Sequence, residues 1–326
     1  MSTSSASKKS VKRASFIKSI PVGDSPWGAV GVGSEVYVSR SESIAVSVID
    51  TNINEVVGAA INTVRNVRDL LHDTSEGKVY AIGNGNDSMA VIDVASDKKV
   101  SFYDTVVGPD SLALSHDGKE LYICGDNGIS SQVGRYDVEN DYKNTVVFDA
   151  ELALQGIACG NPSQTPGGKR YLYVCSFATD EIRIIEVVDA ETLIFTDQVI
   201  KVGTHPRAIA INAAGTHAYV ANMDSNNISV INLKTYEDIV TIEVGVRPGK
   251  VKINPVTGWI YVSNFGAINP RGKGSISILD PSTHKFVQTL ELDGTPVGIG
   301  FSSDGLYGYV CMWDKDEVQV FELDVQ

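Results

Sequence analysis

Three bases in this 326-residue chain, Arg68, Arg207 and Lys250, fall in one recurring register. Each lies one or two residues after the same repeat position, as in Val67-Arg68, Pro206-Arg207 and Pro248-Gly249-Lys250. Elsewhere that register carries small residues, Gly28, Ser111, Gly156 and Gly298, which leave room around the larger side chains. Clustered cations suit a small anion, and Arg offers paired donors to a carboxylate or phosphate. Arg247, just before Pro248, joins the set. His205, just before Pro206, is the acid/base candidate, because imidazole titrates closest to neutrality. The expected catalytic residues are therefore His205, Lys250 and Arg207, with Lys250 able to react as an amine were its pKa depressed.

These positions belong to a sevenfold repeat. Tyr37, Tyr80, Tyr122, Tyr173, Tyr219, Tyr261 and Tyr309 each open a short apolar run, at intervals of 43, 42, 51, 46, 42 and 48 residues. An acid or amide follows thirteen residues after the Tyr in five repeats, and a Pro precedes it by thirteen in four. Turn residues such as Ser303-Asp304-Gly305 separate the first run from the Tyr run, and Asp280-Pro281-Ser282-Thr283 starts another turn. Each repeat thus holds four short strands, and no helical periodicity intervenes. Four antiparallel strands in each repeat of 40-odd residues make a β-propeller blade, so the fold expected is an all-β, seven-bladed β-propeller. The last repeat stops after its third strand, and Phe16–Val22 matches the missing fourth in pattern. The N-terminal strand is expected to close the last blade and remove the open edges.

The segments Tyr219-Val220-Ala221-Asn222 and Tyr261-Val262-Ser263-Asn264, with Ile228-Ser229-Val230-Ile231 behind the first, resemble the YVTN-repeat seven-bladed propellers, a group similar to the lactonase-type propellers. The resemblance covers nearly the whole chain. It implies lactonases, lyases, cell-surface proteins and binding proteins alike, so fold alone does not choose an activity. It also implies a site face, formed by the loop before the first strand and the loop between the second and third. Substrate-binding residues expected there are Trp27, Arg40, Arg68, Asp110 and Phe177, followed round the ring by Asn222, Arg247, Asn264, Phe265 and Trp313. Trp27, Phe177, Phe265 and Trp313 would wall in the apolar part of a ligand. Arg271 and Lys273 add positive charge on the same face, whereas the opposite face is expected to hold turn residues. In the competing arrangement the bases pair with Asp69, Asp110, Asp126, Asp180, Asp224 and Asp314 in a structural network.

Residues 1–14 read as a basic flexible tail and 15–326 as a single propeller domain. Five of the 27 bases precede residue 19 and no acid precedes Asp24, so the rest holds 22 bases against 40 acids. A body that acidic repels nucleic acid and anionic membrane, and neither is expected as a partner. With no apolar leader or spanning segment, the protein reads as cytoplasmic, and a monomer is expected. Cys124, Cys175 and Cys311 occupy a strand position held by Ser39, Ala221 and Ser263 elsewhere, so they read as buried structural thiols, as does Cys159. No dinucleotide fingerprint, phosphate loop or metal-ligand spacing occurs, so no cofactor and no metal are expected. The function expected is a cofactor-independent enzyme, a lyase, isomerase/cyclase or lactonase-like hydrolase, acting on a small, anionic, partly apolar metabolite at the tunnel mouth. The alternative is a non-catalytic propeller that binds a ligand or protein through the same rim.

Overall fold

The computed structural model describes residues 13–96, 98–150, 152–237, 240–268 and 273–324. Seven antiparallel sheets succeed one another as blades I to VII. Their inner strands, in order, are Pro26–Val32, Val67–Asp73, Pro109–Leu114, Leu154–Cys159, Pro206–Ile211, Pro248–Ile253 and Pro296–Phe301. The outer position of blade I is split between Glu55–Val56 and Ile61–Asn62, both paired with Ala45–Asp50. Blade VII takes its outer strand from the other end of the chain: Ala14–Pro21 pairs with Glu317–Leu323, Ala14 opposite Leu323 and Pro21 opposite Glu317. This strand starts two residues before Phe16, the start read from the repeat. Arg13 is drawn in as well, its Nη1 3.0 Å from Asp324 and its guanidinium 4.6 Å from the Trp259 ring centre. The rest of the expected tail, residues 1–12, lies outside the described residues.

The repeated Tyr residues, together with Tyr136, are the largest fully buried side chains among the described residues. A buried hydroxyl is costly unless it bonds, and Tyr80 donates to Asp73 Oδ2 at 3.0 Å and Tyr309 to Asn54 Oδ1 at 2.7 Å. The core lies between blades: Ala208, Tyr219 and Val230 of blade V pack against Val251, Ile260 and Leu279 of blade VI. The repeated acid or amide sets the outer turn, where Asp280 Oδ1 accepts the Ser282 N–H at 2.8 Å.

Two repeated irregularities set the mouth of the tunnel. In every blade the register between the inner strand and its neighbour slips by one residue near the start of the inner strand. Arg68, Asp110 and Arg207 each sit in such a slip, and a β-bulge re-aims the side chain it carries. Just upstream, Ser25, Asn66, Gly108, Ala153, His205 and Arg247 all adopt positive φ. In four of these turns the backbone N–H is clasped by a side chain of the preceding blade. Ser25, Gly108 and His205 donate to Asp316, Asp87 and Asp180, and Arg247 donates to Asn226, each at 2.8 Å. The first of these clasps joins blade VII to blade I.

Candidate functional site

At the upper mouth the inner strands bring Arg68, Asp110, Arg207 and Lys250 together. Arg68 Nη2 donates to Asp110 Oδ1 at 3.3 Å. Asp110 is buried; desolvation opposes its charge, but Lys250, Arg68 and Arg207 outweigh that and hold the carboxyl below its ordinary value. Arg207 belongs to no ion pair among the described residues, and its buried Nε has no hydrogen-bond partner. Burial pushes this guanidinium down, with Asp110 opposing and Arg68 and Arg247 reinforcing the shift. Lys250 is only 8% exposed, and its ammonium likewise has no ion pair or hydrogen bond among the described residues. The competing pairing network is thus only partly realised: Arg68 has its acid, whereas Arg207 and Lys250 share the field of the same Asp110.

Aromatic rings hold the cations from the other side. The Arg68 guanidinium lies 4.0 Å from the Trp27 ring centre and that of Arg207 lies 5.6 Å from Phe265. Between these rings opens a cavity of about 320 Å³ walled by Trp27, Phe265, Trp313 and Arg247. Gly249 makes this arrangement possible, since a Cβ there would stand 1.9 Å from the Phe265 ring. Arg247 is steadied by a 3.3 Å contact from Nη2 to the Met223 sulfur.

His205 stands on the rim. Its Nδ1 is 2.7 Å from Asp224 Oδ2, and its ring stacks on Phe177 at 4.2 Å with a 5° interplanar angle. A carboxylate acceptor makes Nδ1 the protonated nitrogen and leaves Nε2 to exchange a proton. Neither His205 nor Arg207 nor Lys250 lines the aromatic cavity itself; Arg207 meets its wall through the Phe265 ring. The positive φ of His205 recurs in other blades and belongs to the repeat, not to the site alone.

Three of the expected ligand-binding residues are turned elsewhere. Asn222 and Asn264 have no exposed surface; their amides donate inside their own blades, to Asn227 and Ser229 at 2.9 Å and to Ser275 and Ser277 at 3.0 Å. Arg40 donates to Asp24 at 2.7 Å and packs over Gly23, at the end of a second strand and away from the inner ring. Lys273, 72% exposed, pairs with Asp293 at 3.2 Å, and Arg271 lies outside the described residues. Burial raises the thiols of Cys124, Cys175 and Cys311 and pushes that of Cys159 up to about 12, which opposes thiolate chemistry. Among the described residues no group of three or more His, Cys, Asp or Glu side chains is placed to hold a metal ion. None of their helices is long and apolar enough to cross a membrane.

The reading from sequence missed Gly249, visible only as one more small residue in the register. It also gave the opposite face turns alone, whereas a second cavity there is lined by His72 and Lys252. Those two belong to inner strands of blades II and VI, which meet only because the ring closes.

Residues 164–239 match the family model described as lactonase, 7-bladed β-propeller. Antigen Lp49 of Leptospira interrogans serogroup Icterohaemorrhagiae serovar copenhageni (strain Fiocruz L1-130) is 22% identical over 299 residues, 89% of this chain and 55% of that protein. The chain therefore spans about half the length of this curated relative. A streptogramin B lyase structure superposes with a TM-score of 0.71 at 15% identity, over 97% of this chain and 100% of the other. Hydrazine synthase of Kuenenia stuttgartiensis gives a TM-score of 0.76 at 12% identity, over 93% and 96%. Likeness at such identities speaks for the fold alone. The chain is a seven-bladed β-propeller, similar over residues 164–239 to the lactonase-type propellers.

Proposed function

We propose that the protein is a cofactor-independent enzyme of the lyase, isomerase/cyclase or lactonase-like hydrolase type, acting on a small, anionic, partly apolar molecule at the upper mouth. The observation that carries this reading is the pair of cations without acids of their own, Arg207 and Lys250, beside an aromatic cavity. Burying a charge costs free energy that an ion pair would offset. The fold needs no cation in this register, since most blades use small or neutral residues there. The cost is explained if a ligand supplies the anion.

In this reading Arg207 and Lys250 anchor a carboxylate or phosphate and stabilise negative charge that develops during reaction. Phe265, Trp27 and Trp313 enclose the apolar part and exclude water. His205, oriented by Asp224 and Phe177, takes or gives a proton at Nε2. The match of residues 164–239 to the lactonase-type family model is in keeping with an enzyme, whereas the likeness to a streptogramin B lyase speaks for the fold alone. The proposal includes a cytoplasmic monomer with neither nucleic acid nor membrane as partner.

A non-catalytic ligand-binding propeller is the second reading, favoured by the place of His205 outside the cavity wall. Turnover separates the two. Small lactones and unsaturated or hydroxylated organic acids, incubated with the protein and followed by mass spectrometry, should yield a product, slowed roughly a hundredfold or more in His205→Ala. Binding without product, unchanged by His205→Ala, would favour the second reading.

A further inference from the structure

At the other end of the tunnel the inner strands of blades VI, VII, I and II enclose a cavity of about 340 Å³. Ile253, Ile299 and Phe301 give it apolar walls, and His72 and Lys252 supply its nitrogen groups. The roles of these two are fixed by their other contacts. His72 Nδ1 lies 3.1 Å from the Gly31 carbonyl oxygen, which can only accept, so Nδ1 carries the proton. Nε2 is left as an acceptor, with no partner among the described residues. Burial lowers the pKa of this imidazole, which favours the neutral form.

Lys252 is a donor with capacity to spare. It reaches across the tunnel to Asp69 of blade II, but at 3.8 Å, beyond hydrogen-bond length, and its side chain is 39% exposed. The Asp69 carboxylate is already served by the Ser111 hydroxyl at 3.4 Å and the Leu70 N–H at 3.0 Å. An ammonium with three donors and one long contact can take a second acceptor.

We propose that this lower mouth is a second binding site, for a small organic acid whose carboxylate meets Lys252, whose hydroxyl donates to His72 Nε2, and whose apolar frame packs on Ile299 and Phe301. The volume suits such a molecule. The site uses neither Arg207 nor Lys250 and stands whether or not the upper mouth is catalytic.

The probe is 4-hydroxybenzoate, titrated into the full chain by calorimetry, with benzoate as the control that lacks the hydroxyl. Saturable binding is expected in the millimolar range or tighter, weakened about tenfold or more by Lys252→Gln. In His72→Phe, 4-hydroxybenzoate should bind no better than benzoate. The double variant Arg207→Ala, Lys250→Ala removes the upper-mouth anchor, and in it one saturable site for 4-hydroxybenzoate should remain that a further Lys252→Gln abolishes. No saturable binding in the double variant, or binding there that is indifferent to Lys252→Gln, would overturn the proposal. Should Lys252→Gln fail to fold, a soaked crystal of the unaltered protein decides: density between Lys252 and His72 supports the site, and its absence there removes it.

Discussion

Arg207 and Lys250 differ from Arg68 in one respect with energetic consequences: only Arg68 has an acid within hydrogen-bond reach. Removing Arg207 takes a cation out of a crowded positive field, so Arg207→Ala should leave stability within about 1 kcal/mol of the unaltered protein, or raise it, whereas Lys250→Ala also takes counter-charge from the buried Asp110 and should cost about 1 kcal/mol or more. Arg68→Ala strands the buried Asp110 and should cost about 1–3 kcal/mol, below the usual loss for a broken buried pair because Lys250 and Arg207 stay near. Urea midpoints of the three variants check the order. The histidines carry a pH signature. Burial lowers His72, and burial with the neighbouring His284 lowers His217, whose ring lies 4.8 Å from that of His284. Folded-state pKa values below the unfolded value mean that the unfolded chain binds more protons, so stability is full above about pH 6.5 and falls as pH drops through that value toward the folded pKa. Urea midpoints at pH 7.5 and 5.5 should show the fall, and His217→Gln should reduce it. An equal fall in that variant would exclude His217 as a source.

At the scale of the strand, the site depends on Gly249. A methyl group there meets the Phe265 ring, so Gly249→Ala should displace the ring, cost about 1–3 kcal/mol and impair ligand binding even though Arg207 and Lys250 are intact. Normal binding in that variant would show that the Phe265 wall is dispensable. The closing strand gives a second expectation. Deleting residues 1–22 removes Ala14–Pro21 and bares Glu317–Leu323 with Phe321 and Leu323, so the melting temperature should fall and an apolar dye should bind. The repeat made these strands legible, because the Tyr positions, the Asp turns and the match of residues 16–22 are local patterns that recur. Direction at a strand end was not legible. Asn222 and Asn264 end their strands where a ligand-facing residue would stand, yet hydrogen bonds to serines of the next strand turn them inward. Arg40 is taken up in a similar way by Asp24, in the loop before the inner strand of its blade.

Across the whole molecule, charge and ring closure work together. The chain carries a formal net charge of −13, while Arg68, Arg207, Arg247 and Lys250 gather round the upper mouth near the buried Asp110. An acidic body with a basic mouth should draw small anions locally, and added salt should weaken their binding by screening. Contacts across the tunnel, such as Lys252 to Asp69, join residues far apart in sequence, so only the closed ring shows them. The central claim is that Arg207 and Lys250 receive their counter-charge from a ligand. It is tested most directly by a thermal-shift screen of small organic carboxylates and phosphate esters on the unaltered protein and on Arg207→Ala and Lys250→Ala. A ligand that binds only the folded state raises the melting temperature. At least one anion should stabilise the unaltered protein and neither variant, while Arg207→Ala melts as the unaltered protein does without ligand. Equal stabilisation of all three proteins, or an Arg207→Ala variant destabilised because an acid is left unpaired, would contradict it.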